Sequence, residues 1–302
     1  MRGVLRALAL SAMVSACGRR GTNQDSVALS MQRDTVPVLI GAGDVADCGS
    51  DGAARTALLL DSIRGTIFIA GDVAYQTKKH PRPFLTCFDP AWGRHRARIR
   101  PALGNHDYGD DSADAYFNYF GERAGPRPGG YYSYELGRWH VIALNTNIAI
   151  DDSSAQARWL RVDLTANAGR CTIAYMHHPR FSSGPHTERE RLIPVWRIFA
   201  RWGVSVAVAG HDHIYERFAP LDADGAPDTV NGVRQFVVGT GGAHRYEIER
   251  LLPASEAHST QAFGLLKITL LPNRFQWAFI PVDANAEHDE GESTCHPTHA
   301  ER

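Results

Sequence analysis

The chain reads as an α/β protein, a four-layer α/β/β/α sandwich with two mixed sheets face to face and helices outside. Three observations predict that class. Residues 36–42, 66–70, 171–176 and 204–209 are short, densely apolar runs with the length of buried strands. Between them, residues 53–63, 112–120, 153–168 and 188–202 carry apolar positions at helical spacing. The last third is strand-rich: residues 235–238, 264–271 and 274–281 are joined by Gly, Pro and Asn turns, and are expected to supply much of a second sheet.

Taken in order, the strand at 36–42, the helix at 53–63 and the strand at 66–70 make a βαβ start. Residues 131–136 and 140–144 flank Gly137-Arg138 and read as a hairpin. The runs at 171–176 and 204–209 each lead straight into a histidine motif, with the mixed-face helix at 188–202 between them. Trp92, Trp139, Trp159, Trp196 and Trp202 read as core aromatics.

With 302 residues and 43% apolar content, the chain can bury a large core. A formal net charge of -1 and the lack of any long Lys/Arg block argue against a stable nucleic-acid partner held by phosphate neutralisation. Any bound anion is therefore held locally. At the amino end, Arg2 and Arg6 precede an apolar stretch at 7–16 that has secretory length and is too short to span a bilayer. Val14-Ser15-Ala16-Cys17 resembles a bacterial lipobox, which implies that residues 1–17 are an export signal and that Cys17 carries a lipid membrane anchor. The expectation is an exported lipoprotein on a periplasmic or cell-surface face. Residues 18–34 follow as a polar tether, 35–283 as one domain and 284–302 as a polar tail. Three pairings are open among the remaining Cys48, Cys87, Cys171 and Cys295. Cys48 with Cys87 and Cys171 with Cys295 are favoured, because the second bond would fasten the tail to the core.

Five short motifs punctuate this pattern: Gly43-Asp44, Gly71-Asp72-Val73-Ala74-Tyr75, Gly104-Asn105-His106-Asp107, Met176-His177-His178-Pro179 and Gly210-His211-Asp212-His213. Each follows a short apolar run, which places carboxylates, histidines and one amide at the carboxyl ends of strands, where open α/β sheets build their sites. Any one of them alone is an ordinary turn or cap. Together and in this order they spell a two-metal hydrolase.

From Gly43 to Arg217 the ordered set resembles the calcineurin-like metallophosphoesterases. Their general first motif is Asp-x-His; here Ala46 stands at the histidine's place and cannot ligate. Tyr75, three residues after Asp72, matches the Asp-x-x-Tyr of the purple acid phosphatase branch, so the loss and the gain point to one subgroup. The resemblance implies one metal held by Asp44, Asp72, Tyr75 and His213, and a second held by Asp72, Asn105, His177 and His211, with Asp72 bridging. Phenolate suits Fe(III) at the first position, and the imidazole-rich second suits Zn, Mn or Fe(II). Hydrolysis of a small-molecule phosphate monoester is implied, with His106 protonating the leaving alkoxide, Asp107 orienting its ring and His186 as a second substrate-facing histidine. His178 would lie behind the ligands. A phosphodiesterase or nucleotide hydrolase on the same scaffold, and a non-catalytic lipoprotein that binds metal or phosphate, are the alternatives. The short amino-terminal segment is expected to leave no room for the extra β-sandwich domain of larger members. Glu216 and Arg217 read as packing residues, and residues 239–242 as a tight turn beside the site.

Overall fold

Alternation of side chains along each strand explains the layering of this protein, whose computed structural model describes residues 36–109, 112–186 and 188–297. The expected export signal, Cys17 and the expected tether lie outside the described residues. Strands β1 (Val38–Ala42), β2 (Thr66–Ala70) and β3 (Ile99–Ala102) run in parallel, with α1 (Gly52–Ser62) between the first two and α2 (Asp89–Trp92) before the third. After α3 (Asp114–Phe120), the predicted hairpin forms as β4 (Tyr132–Leu136) and β5 (Trp139–Ala143). Then α4 (Ala155–Ala166), β6 (Cys171–Tyr175), α5 (Ile193–Trp202) and β7 (Val206–Ala209) follow, and β5, β6 and β7 pair in parallel.

In β5, β6 and β7 neighbouring residues part to opposite faces. Val141, Ile173 and Val206 join the core shared by the two sheets, whereas Ile142, Ala174 and Ala207 pack with Leu160, Trp196 and Phe199 of α4 and α5. Strands covered on both faces favour apolar residues, and these runs are apolar apart from His140 in β5 and Thr172 in β6. The remaining strands are β8 (Tyr215–Phe218), β9 (Arg234–Val238), β10 (Ser255–Ser259), β11 (Gly264–Leu271), β12 (Arg274–Pro281) and β13 (Asp289–Thr294). One sheet has the order β13-β12-β11-β1-β2-β3 and the other β10-β8-β9-β7-β6-β5-β4. Aromatic pairs join them: Tyr215 stacks on Phe279 with ring centroids 4.0 Å apart, and Phe68 meets Tyr175 at 5.8 Å. Truncating a fully buried ring such as Phe68 to alanine costs about 3–5 kcal/mol in such a core.

Three expectations need correction. β11 and β12 join the first sheet, where β11 lies antiparallel to β1 with Val38 opposite Thr269. Their alternation shows that one face is buried, and says nothing of which sheet receives it. Residues 284–302 are not simply a polar tail, because β13 forms the edge strand of the first sheet without a single apolar side chain. Backbone pairing to β12, an Arg217–Asp289 ion pair at 2.8 Å and the Cys171–Cys295 disulfide hold it there. The helix expected at 188–202 is a 3-10 turn at Glu188–Leu192 followed by α5, since Pro194 has no N–H and belongs in a first helical turn. Both favoured disulfides form, with Cα separations of 5.3 Å for Cys48–Cys87 and 5.6 Å for Cys171–Cys295.

Candidate metal centre

Every motif residue named as a ligand stands just past the carboxyl end of a parallel strand. Asp44 follows β1, Asp72 and Tyr75 follow β2, Asn105 follows β3, His177 follows β6, and His211 and His213 follow β7. Two sheets thus deliver their loops to one edge. Asp44, Asp72 and His211 do so at positive φ, 60°, 49° and 70°, a region that non-glycine residues rarely occupy. Close approach explains the glycine of the third motif. A Cβ on Gly104 would lie 2.1 Å from the backbone N and Oδ1 of Asp72, so no side chain fits.

The seven residues form two contiguous groups that meet at Asp72. In the first, the Tyr75 hydroxyl donates to Asp44 Oδ1 at 2.9 Å and lies 3.1 Å from His213 Nε2, which is 3.2 Å from Asp44 Oδ1. In the second, His177 Nε2 lies 2.8 Å from Asn105 Oδ1, 3.1 Å from His211 Nδ1 and 3.4 Å from Asp72 Oδ2. Ligand atoms of Asp44, Asp72 and His177 all fall within 4.8 Å of one another. Backbone carbonyls set two imidazoles: His177 Nδ1 donates to Ala70 O at 3.0 Å and His213 Nδ1 donates to His244 O. Because a carbonyl only accepts, Nε2 of each ring is the atom turned to the cluster.

Charge in this buried space is balanced by protons. Burial pushes the Asp44 carboxyl up, but His213, His177 and His211 outweigh it and bring it down to about 2. Asp72 is also lowered, burial being opposed chiefly by His177. Burial alone would strip His177 of its proton, yet Asp72 and Asp44 raise it to about 9. His211 falls to about 3 through burial and the charges of His177 and His186. Burial, Asp44 and Asp72 hold the Tyr75 hydroxyl well above its ordinary value. Two buried carboxylates that recruit protons onto neighbouring imidazoles are a donor set that cations fit, with oxygen anions, one amide oxygen and imidazoles of fixed orientation.

Around the cluster the predicted catalytic residues fall in different places. His106 lines the opening, its ring 4.5 Å from that of Tyr75 and its Nε2 4.0 Å from Asp72 Oδ2. Asp107 does not serve its ring as expected. Its buried oxygens accept the N–H groups of Val73 at 3.0 Å and Gly104 at 2.8 Å, tying the Asp72 loop to the Asn105 loop. His186 sits on the opposite side, ring centroid 4.0 Å from His211, with Nδ1 2.6 Å from Asp212 Oδ1. His178 packs behind, its Nδ1 2.7 Å from the Thr146 hydroxyl, and burial with the charges of His177 and His211 lowers it to about 2.

Sequence reasoning overlooked Asp212 and Tyr246. Asp212 holds His186 and also accepts from the Ser182 hydroxyl, while Glu216 accepts from the Ser183 N–H at 2.7 Å, so both carboxylates pin the loop that carries His186. Asp212 was readable, because it sits inside the Gly-His-Asp-His motif. Tyr246 stacks on His213 at 4.2 Å with planes 6° apart, and it lies 33 positions downstream in a loop that no local pattern marks. The 239–242 turn supports Asp44 from below, Gly241 N donating to Gly43 O at 2.9 Å.

Carboxylates, imidazoles and an amide gathered at one edge of two mixed sheets are a donor set of the kind metallophosphoesterases carry. Residues 32–215 match the family model of the calcineurin-like phosphoesterases, more than half of the chain, and the chain belongs to that family. It falls with the purple acid phosphatase-like branch, which implies two metal ions. Over 196 residues it is 23% identical to purple acid phosphatase 23 of Arabidopsis thaliana, spanning 53% of this chain and 43% of that one. Its fold is similar to purple acid phosphatase PPD1 from yellow lupin (Lupinus luteus) seeds, with a TM-score of 0.68 at 19% identity over 86% of this chain and 54% of the lupin chain. It is also similar to a dimetal phosphatase from Danio rerio, with a TM-score of 0.61 at 12% identity over 87% of this chain and 100% of that one. The chain therefore spans less than half the length of the Arabidopsis relative, and about half that of the lupin protein.

Proposed function

We propose that the chain hydrolyses phosphate monoesters at a two-metal centre. The meeting of Asp44, from one donor group, and His177, from the other, with Asp72, all with ligand atoms within 4.8 Å of one another, carries the reading. Asp44, Asp72, Tyr75 and His213 would hold Fe(III), because a phenol kept neutral by burial and two carboxylates calls for a strongly acidic cation to take its proton's place. Asp72, Asn105, His177 and His211 would hold Zn, Mn or Fe(II).

When bound, the ions supply Lewis-acid activation of water and of the phosphoryl oxygens. Water's oxygen bonds to phosphorus as the ester P–O bond breaks. His106 gives its proton to the departing alkoxide oxygen, and the proton released by water restores it. His186, oriented by Asp212, turns its free nitrogen toward the phosphoryl oxygens from the other side. Tyr246 covers His213 and keeps bulk water from that flank. Asp107 positions the two loops and touches no reacting atom.

In the same reading the chain is exported and anchored through a lipid on Cys17; its two disulfides suit an oxidising compartment. Metabolic labelling with palmitate, lost in Cys17→Ala, tests the anchor.

The deciding experiment is metal analysis and a visible spectrum on protein purified without chelators, together with turnover of chromogenic mono- and diesters. Iron plus a second metal, a visible band that Tyr75→Phe abolishes without unfolding, and faster monoester turnover at mildly acidic pH are expected. Two non-ferric metals with a diester preference would move the function to phosphodiester hydrolysis. Full metal occupancy without turnover of either ester would sink the enzymatic reading.

A further inference from the structure

A second set of metal-binding side chains gathers outside the cluster, where the loop after β1 meets the segment that follows Tyr75. Cys48 Sγ, Cys87 Sγ and a ring nitrogen of His80 all lie within 4.8 Å of one another, and each of the three residues is half-buried. The two sulfurs are joined as a disulfide. His80 is set beside them by its own backbone. Its N–H donates to the Thr77 carbonyl and to Thr77 Oγ1, both at 3.1 Å, and the Thr77 N–H donates back to the His80 carbonyl at 3.2 Å. Its ring makes no hydrogen bond among the described residues. The other disulfide, Cys171–Cys295, gathers no such third ligand among the described residues.

Distances decide whether this set can hold an ion. Zinc lies about 2.3 Å from sulfur and about 2.0 Å from imidazole nitrogen, so tetrahedral ligand atoms stand roughly 3.5–3.8 Å apart. The His80 nitrogen already has that kind of reach to both sulfurs. The sulfurs of a disulfide are about 2.0 Å apart and, once released, need part by only roughly 2 Å, which rotation of the two short side chains supplies while their loops stay in place. Two thiolates with one imidazole select a soft or borderline cation such as Zn2+ over Mg2+ or Ca2+. Half-exposure leaves a fourth position to water. The Thr86 hydroxyl, 3.3 Å from Cys87 Sγ, is placed to donate to a thiolate there.

We propose that Cys48, His80 and Cys87 form a redox-gated zinc site, closed as a disulfide under oxidising conditions and open to Zn2+ once reduced. A dithiol supplies two electrons and two protons. The Cys48–Cys87 bond breaks to two thiols, and the dithiol closes to its own disulfide. Zn2+ then takes both sulfurs as thiolates, two protons pass to solvent, and neutral His80 supplies its nitrogen. Both states tie the Cys48 loop to the far end of the 76–87 segment, so the staple survives reduction wherever zinc is at hand. Asp44 and Tyr75 lead directly into the two segments it joins. The site is independent of the phosphoesterase reading.

The metal-loaded protein is reduced with a phosphine, since a dithiol would compete for the ion, and titrated with Co2+ as a spectroscopic stand-in for Zn2+. One Co2+ per reduced chain is expected, with thiolate-to-cobalt charge-transfer absorption that Zn2+ displaces. Oxidised protein, which controls for the main centre, should show none. His80→Ala leaves the disulfide able to form and should weaken this Co2+ by roughly 10-fold or more. Cys48→Ser with Cys87→Ser should abolish the band although Cys171 and Cys295 remain. Zn2+ should also raise the unfolding midpoint of the reduced wild type and leave that of the oxidised protein unchanged, a readout that holds even if reduction alone loosens the chain. Equal Co2+ affinity in His80→Ala, or a band that survives in the double cysteine variant, overturns the assignment to these three residues. A reduced protein that shows no band, and whose midpoint ignores Zn2+, overturns the site altogether.

Discussion

Asp107→Ala separates two roles that a carboxylate beside a catalytic histidine could have. Asp107 is 2% exposed and accepts the N–H groups of Val73 and Gly104, the residues next to Asp72 and Asn105. Removing it strands two buried donors. Each costs about 1–3 kcal/mol when left unsatisfied, so the pair costs roughly 2–6 kcal/mol. For a chain of this size that is a drop of roughly 5–15 °C in the unfolding midpoint. Chelated protein is the right sample, because loss of bound ions then cannot contribute to the shift. Asp107→Asn keeps one accepting oxygen and should lose about half as much. Without chelator, Asp107→Ala should also retain less metal, since the loops carrying Asp72 and Asn105 are no longer tied. A midpoint within about 1 °C of wild type, combined with a displaced pH–rate profile, would refute the loop-tying role and return Asp107 to the His106 ring.

Three further outcomes are expected. Gly104→Ala forces a Cβ to 2.1 Å from Asp72, so metal content and turnover should both collapse; normal occupancy in that variant would contradict the close approach. Burial opposes the charged form of His140, but its bonds to Asp163 at 2.6 Å and Glu135 at 2.9 Å raise its pKa overall. The folded chain therefore keeps this proton to higher pH than the unfolded chain, and the stabilisation is full below about pH 6.5 and lost as pH climbs through the folded pKa. Accordingly, the midpoint difference between wild type and His140→Gln should be larger near pH 6 than near pH 9, and a constant difference would count against it. Replacing Cys171 and Cys295 together by alanine opens a link across 124 residues and should cost about 2–4 kcal/mol in urea unfolding, with hydrogen exchange in β13 rising first. Exchange that stays slow in β13 would mean the ladder to β12 suffices.

The strands that carry the site were legible because β1, β2, β6 and β7 are almost wholly apolar, Thr66 and Thr172 apart, and chemistry-bearing residues follow them abruptly. Asp44, Asp72, His177 and His211 are conspicuous against such neighbours. What stayed hidden depends on partners distant in sequence. β13 reads Asp-Glu-Gly-Glu-Ser-Thr, and only its ladder with β12 makes it a strand. β11 and β12 showed their period, but pairing with β1 is decided by closure of the sheet. Asp107 looked like a partner for its neighbour His106, while its oxygens accept the Gly104 N–H of its own turn and the Val73 N–H of the loop after β2. Tyr246 reaches His213 from a loop whose path no turn residue dictates.

Asp44, Asp72 and His211 adopt a backbone shape that glycine would take with less strain. A procedure that rewrote this chain for maximal thermal stability, residue by residue, would be drawn to those three positions early, and each glycine would relieve the backbone while erasing a proposed ligand. Stabilising this protein without silencing it therefore means holding three of its least comfortable residues fixed and working elsewhere, on exposed positions such as Leu58 and Val162 that take no part in the cluster.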